Sequence, residues 1–170
     1  MPLTIRASRM DECAQVLELW KSAEAIPRPT DTLPELQRIV REHPDTLLVG
    51  EENGRLIGTV IAGWDGWRGG IYRLAVLPEC RRRGVAQALV AEAERRLVAR
   101  GARRLNAMVA RDEVQARAFW DAAPGWGRDA RWQRYTKDIG GASDIGGPRD
   151  GPPNPPDVRS SPAKPGRSSI

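Results

Sequence analysis

Cys13, Val16, Leu17 and Trp20 recur at i, i+3, i+4 and i+7, which predicts a helix with Asp11 as its cap. A second helix is expected over residues 33–41, after a loop rich in Pro and Thr. The face Ala86, Leu89, Val90, Ala93 and Leu97 predicts a third helix over 85–99, stopped by Gly101. A fourth is expected over 114–122. Short apolar runs at 3–7, 46–50, 55–62, 71–77 and 104–110 read as strands. "EENG" (51–54) is a hairpin signal between two of them, and "GWDGWRGG" (63–70) reads as a second, glycine-rich turn. Residues 131–138, with Trp132 and Tyr135, read as a closing strand. The order βααβββαβαβ predicts the α/β class: a mixed sheet with helices on both faces. Residues 71–110 form a strand–helix–strand piece expected to cross over right-handed and parallel.

The pattern fails at the C-terminal end. From Gly140 onward Gly, Pro and Ser dominate, a composition that buries too little apolar surface to offset its ordering entropy. The expectation is a folded domain over 1–139 and a disordered tail over 140–170. Hydrophobic residues make up 40% of the 170, enough for one core. Two distant cysteines and one histidine give no disulfide framework, and no metal site or Ser-His-Asp triad is expected. The chain opens without an apolar leader, and no run reaches the roughly 18 apolar residues of a membrane span, so neither a membrane nor export is expected and the simplest location is cytoplasmic. The net charge of +5 favours an anionic partner. Its arginines lack the interleaved aromatics and the motifs of a nucleic-acid binder, so no nucleic acid is expected.

Much of that charge lies in "LAVLPECRRRGVAQALV" (74–90), where three arginines separate a buried strand from a buried helix. The first turn of a helix leaves backbone N–H groups unsatisfied and carries partial positive charge. Gly84 and the small Ala86 let a phosphate approach that backbone. Arg81, Arg82 and Arg83 add charge and forked donors. The turn therefore suits a diphosphate, yet neither GxxxxGK[ST] nor GxGxxG is present.

What is present is R-x-x-G-x-A, at Arg81, Gly84 and Ala86. It resembles the coenzyme A pyrophosphate loop of the GNAT superfamily of acetyl-CoA-dependent N-acetyltransferases. "TIRASRMDECAQVLELW", "RLIGTVIAG" and "AFWDAAPGW" are similar to other blocks of that family, so the resemblance spans about residues 3–138. It implies acetyl-CoA as acyl donor, with the backbone of Leu74, Ala75 and Val76 pairing with the pantetheine arm. The amides of Arg81, Arg82, Arg83, Gly84, Val85, Ala86 and Gln87 would hold the pyrophosphate. An N–H near Val76 would stabilise the oxyanion. The implied reaction is direct attack, in a ternary complex, by a primary amine of a small molecule or peptide. A homodimer is possible by analogy with the fold.

The chain also departs from that pattern. Trp120 stands where the family often has a tyrosine near the CoA sulfur, and an indole is no general acid at neutral pH. The asparagine usual before it falls at Glu113. The glutamate some members use as base falls near Gly70. Asp65, Tyr72 and Glu113 are candidate substitutes for the base, and Tyr135 for the acid. Trp20, Trp64 and Trp67 are candidates for an acceptor pocket. The competing expectation is a module that binds acyl-CoA for regulation without turning it over.

Overall fold

The computed structural model describes residues 2–132 and 136. By its contacts the chain divides into two units, Met1–Asp138 and Ile139–Ile170; the second lies outside the described residues. The expected tail, most of the expected closing strand, and Tyr135 also fall outside them.

The first unit runs β1 (Thr4–Ala7), α1 (Cys13–Ser22), α2 (Leu33–Glu42), β2 (Leu47–Glu52), β3 (Arg55–Trp64), β4 (Gly69–Val76), α3 (Val85–Ala99), β5 (Leu105–Ala107) and α4 (Val114–Ala122). Five strands make one mixed sheet in the order β1-β2-β3-β4-β5. Every neighbouring pair is antiparallel except β4 and β5, which are parallel and joined across α3.

Sequence dictates much of this locally. Asn53 (φ 53°) and Gly54 (φ 74°) both take the left-handed conformation of a two-residue hairpin loop, one that Asn-Gly adopts at little cost. Thr32 caps α2 by accepting the N–H of Glu35. Asp11 does not cap α1. A short 3₁₀ turn, Met10–Glu12, precedes the helix, and the Glu12 carboxylate accepts the N–H of Arg9 at 2.8 Å, closing the entry from inside.

The layers are visible in two consecutive residues of β3. A side chain on Gly58 would meet Leu89 at 2.9 Å and Val85 at 3.2 Å, so that face is covered by α3. Thr59 points the other way and meets Trp20 of α1. Leu47, Leu48, Val49 and Val60, all fully buried, fill the layers between sheet and helices. Among the described residues no helix is long and apolar enough to cross a membrane.

Candidate functional site

The parallel edge of the sheet is short. β4 pairs with β5 only at Gly69–Leu105, Gly70–Asn106 and Ile71–Ala107; from Tyr72 onward the two strands have no shared ladder. The cause lies on β4 itself. Thr59 faces Ala75, but Ile61 faces Tyr72, so β4 carries one residue more than β3 over that stretch. This is a β-bulge, and Arg73 within it has φ 50°. Beyond the bulge, Leu77 donates its N–H to Ile57 at 3.0 Å. Antiparallel alternation then turns the N–H and C=O of Val76 away from β3, toward the side where β5 is missing. The edge beside Leu74, Ala75 and Val76 is thus a strand edge that β5 does not cover.

The loop after β4 supplies backbone donors. Arg82 (φ 61°) and Gly84 (φ 82°) are both left-handed, and Gly84 caps α3 without any side-chain partner. The first bond into α3 is Ala88 N–H to Gly84 at 3.0 Å. None of the N–H groups of residues 82–87 donates to an acceptor among the described residues. A run of such groups at a helix start is an anion site by geometry and by dipole.

The three arginines divide. Arg81 spends its guanidinium inside the protein, on the carbonyls of Val76 (3.1 Å) and Ala23 (2.9 Å) and on Gln115 (3.1 Å). It ties the free edge of β4 to the ends of α1 and α4. Nη2 of Arg83 donates to both carboxylate oxygens of Glu52, each at 2.8 Å, which raises the pKa of Arg83. Arg82 is exposed and its guanidinium pairs with nothing among the described residues, so it alone is available to a phosphate.

At the other end of β4 a cleft of about 210 Å³ is lined by Gly63, Trp64, Asp65, Arg68, Gly69, Gly70, Tyr72 and Asn106. Tyr72 lies across two glycines. A Cβ on Gly70 would stand 2.4 Å from its hydroxyl oxygen and 2.5 Å from its ring, and one on Gly63 would stand 3.0 Å from the ring. The space a side chain at position 70 would use is therefore filled by the half-exposed phenol of Tyr72. Asp65 closes the β3–β4 turn, accepting the N–H groups of Arg68 (2.6 Å) and Trp67 (2.8 Å). Those bonds, Arg68 first, hold its pKa below the ordinary carboxylate value, so at neutral pH it is an anion.

The other candidates lie elsewhere. Trp67 is 70% exposed, stacked under the Arg68 guanidinium, and off the lining of this cleft. Trp20 is buried in the core rather than in the cleft wall. Glu113 stands at the start of α4 without making a capping bond. Trp120 packs edge-on to Phe119 and Trp126, whose ring centres are 5.2 and 4.5 Å away. Among the described residues no group of His, Cys, Asp and Glu side chains could hold a metal ion. Sequence reasoning missed Thr59 and Arg73. The only signal for Thr59 is a hydroxyl inside an apolar strand, and for Arg73 there is none.

A sequence model of the acetyltransferase (GNAT) family matches residues 13–125. An acetyltransferase of Pectobacterium atrosepticum is 37% identical over 110 residues, which cover 65% of this chain and 78% of that one. One from Photorhabdus laumondii is also 37% identical, over 65% of this chain and 77% of its own. Among solved structures, Ard1 of Thermoplasma volcanium superposes with a TM-score of 0.64 at 20% identity, over 71% of this chain and 80% of that one. The aminoglycoside N-acetyltransferase AAC(6′)-Iy in complex with CoA gives 0.63 at 19%, over 81% of this chain and 96% of that one. At these identities the last two are likenesses of fold.

Proposed function

Because the chain belongs to the acetyltransferase (GNAT) family, we propose that it is an N-acetyltransferase that moves the acetyl group of acetyl-CoA to a primary amine of a small molecule or peptide. The observation that carries this reading is one continuous track: the edge of β4 at Leu74, Ala75 and Val76 that β5 leaves uncovered, leading into six N–H groups of residues 82–87 that meet no acceptor among the described residues. A pantetheine arm pairs along the first part and a pyrophosphate ends on the second. Arg82 is the arginine left for a phosphate; Arg81 and Arg83 brace the loop from within.

In this reading the outward N–H of Val76 meets the thioester carbonyl and stabilises the oxyanion. The amine enters from the cleft formed by Gly63, Asp65, Gly70, Tyr72 and Asn106. Its lone pair attacks the thioester carbon, the C–S bond breaks, CoA leaves as the thiolate, and the nitrogen loses its proton to solvent or to a basic side chain. Holding both reactants in attack geometry supplies much of the rate. Trp120 lacks an ionisable proton, so the thiolate departs without help from that position.

The test is release of free CoA, followed with a thiol reagent, across amines, polyamines, amino acids, aminoglycosides and N-terminal peptides. The expected result is acetyl-CoA binding with turnover on a subset of them. Tight CoA binding with no release on any amine would assign the chain to the non-catalytic reading. Absence of CoA binding in calorimetry would remove both.

A further inference from the structure

The bulge that parts β4 from β5 is held from two sides by one buried circuit. Thr59 is fully buried, a polar side chain in an otherwise apolar stretch of β3. Its hydroxyl accepts the indole N–H of Trp20 at 2.8 Å and donates to the carbonyl of Arg73 at 3.1 Å. One hydroxyl can do both at once, which leaves neither buried group without a partner.

Arg73 is gripped at its other end too. Its Nε donates to Asp31 at 2.8 Å, its Nη2 pairs with the second oxygen of that carboxylate, and its Nη1 donates to the carbonyl of Ile26 at 2.9 Å. The guanidinium lies 4.9 Å over the ring of Trp20, the same ring that donates to Thr59. Arginine does not choose a φ of 50° by itself; the left-handed region is costly for any residue with a Cβ. The conformation persists because Thr59 fixes the carbonyl while Asp31 and Ile26 fix the side chain.

We propose that Thr59 and Arg73 are positioning residues for acyl transfer: by locking the bulge they set where the N–H of Val76 stands relative to Tyr72 and Gly70 at the amine end. This rests on the acyl-CoA reading of the cleft. The bulge lies between the two working ends, three residues before Val76 and one after Tyr72. Residues 82–87, which carry the pyrophosphate, lie beyond it. Loosening the bulge therefore leaves the anchor of CoA in place and disturbs the alignment of thioester and amine. Loss of alignment costs turnover rather than affinity.

Thr59→Val is nearly isosteric and removes both hydrogen bonds, whereas Thr59→Ser keeps them. The measurements are CoA affinity by calorimetry, kcat and KM with the best amine found, and the melting temperature. For T59V we expect kcat to fall about tenfold or more while CoA affinity stays within about threefold, and T59S to recover most of kcat. If T59V does not fold, Asp31→Asn carries the test from the less buried end, with a kcat loss of about threefold at unchanged CoA affinity. A variant that melts lower yet keeps the wild-type kcat would reduce the circuit to packing and overturn the proposal. So would equal losses in kcat and in CoA affinity. Failure of the unmodified protein to bind CoA would instead overturn the reading of the cleft on which the proposal stands.

Discussion

Arg81 binds Val76, Ala23 and Gln115; Arg83 binds Glu52; Arg82, between them, binds nothing among the described residues. The three share one chemistry, and a sequence shows only that. What separates them is which acceptors the fold brings within reach, and Ala23, Glu52 and Gln115 are far from the loop in sequence. Gly84 is different, because the need for glycine is written in its own backbone. At φ 82° a Cβ is strained even though the nearest atom, Gln87 Oε1, is 3.9 Å away. A left-handed residue with a side chain costs roughly 1–2 kcal/mol, more if β-branched. Its branches would also crowd the N–H groups around it. Arg82→Ala removes one exposed charge contact, worth about 0.2–1 kcal/mol or up to roughly fivefold in affinity. Gly84→Val should therefore weaken CoA about tenfold or more, against about fivefold or less for Arg82→Ala. Calorimetry with CoA decides it, and the reverse order would return the anion to the arginine side chain.

At the scale of elements, helices and hairpins were legible because their signals are local. The apolar period marks α3 from Val85, and Asn53-Gly54 sets its own turn. The stretch 63–70 reads as turn throughout in sequence but is strand at both ends, since glycine has a second use. β3 runs on to Trp64 and β4 starts at Gly69, leaving a turn of only four residues. Gly69 is there because a Cβ would come within 2.4 Å of Leu105 and 2.8 Å of Leu97, and Gly70 because Tyr72 covers it. These are close approaches inside strands. β5 is shorter than its apolar run suggested because the bulge takes its partner away, and no residue type announces that bulge. The same geometry predicts what a carboxylate at position 70 would do. Gly70→Glu should not supply a missing base. The new Cβ must expel the Tyr72 ring from the sheet face and reshape the amine end of the cleft. We expect the KM for the amine to rise about threefold or more with CoA affinity unchanged, in steady-state kinetics beside calorimetry. A rise in kcat would mean that the site lacks a carboxylate and tolerates one.

The first unit is fastened at its N-terminal edge by a charge cluster that includes none of the cleft-lining residues. Arg6 on β1 donates to Glu12 at 2.6 and 2.9 Å and to Glu51 on β2 at 2.5 and 2.9 Å. Glu12 is 5% exposed and also holds the N–H of Arg9, so one carboxylate joins the first strand, the first helix and the sheet. The hydrogen bond from Arg6, then the bond from Arg9 and both charges, outweigh burial and depress the pKa of Glu12 below its ordinary 4.5. A carboxylate with a depressed folded value is protonated more readily in the unfolded chain. Its contribution is complete above about pH 4.5 and drains away as pH falls through the folded value. Removing one partner of a buried pair costs about 3–5 kcal/mol. Here the loss should be nearer 2, because Arg6 is partly solvated and retains Glu51. Glu12→Gln should lower the melting temperature at pH 7 by about 5 °C and flatten its decline toward acid, leaving kcat per folded molecule unchanged. Melting curves of both proteins from pH 3 to 8 test this. Parallel curves would mean that acid unfolds the chain through other carboxylates, such as Glu92, whose pKa is lowered to about 2 by Arg95 and Arg96.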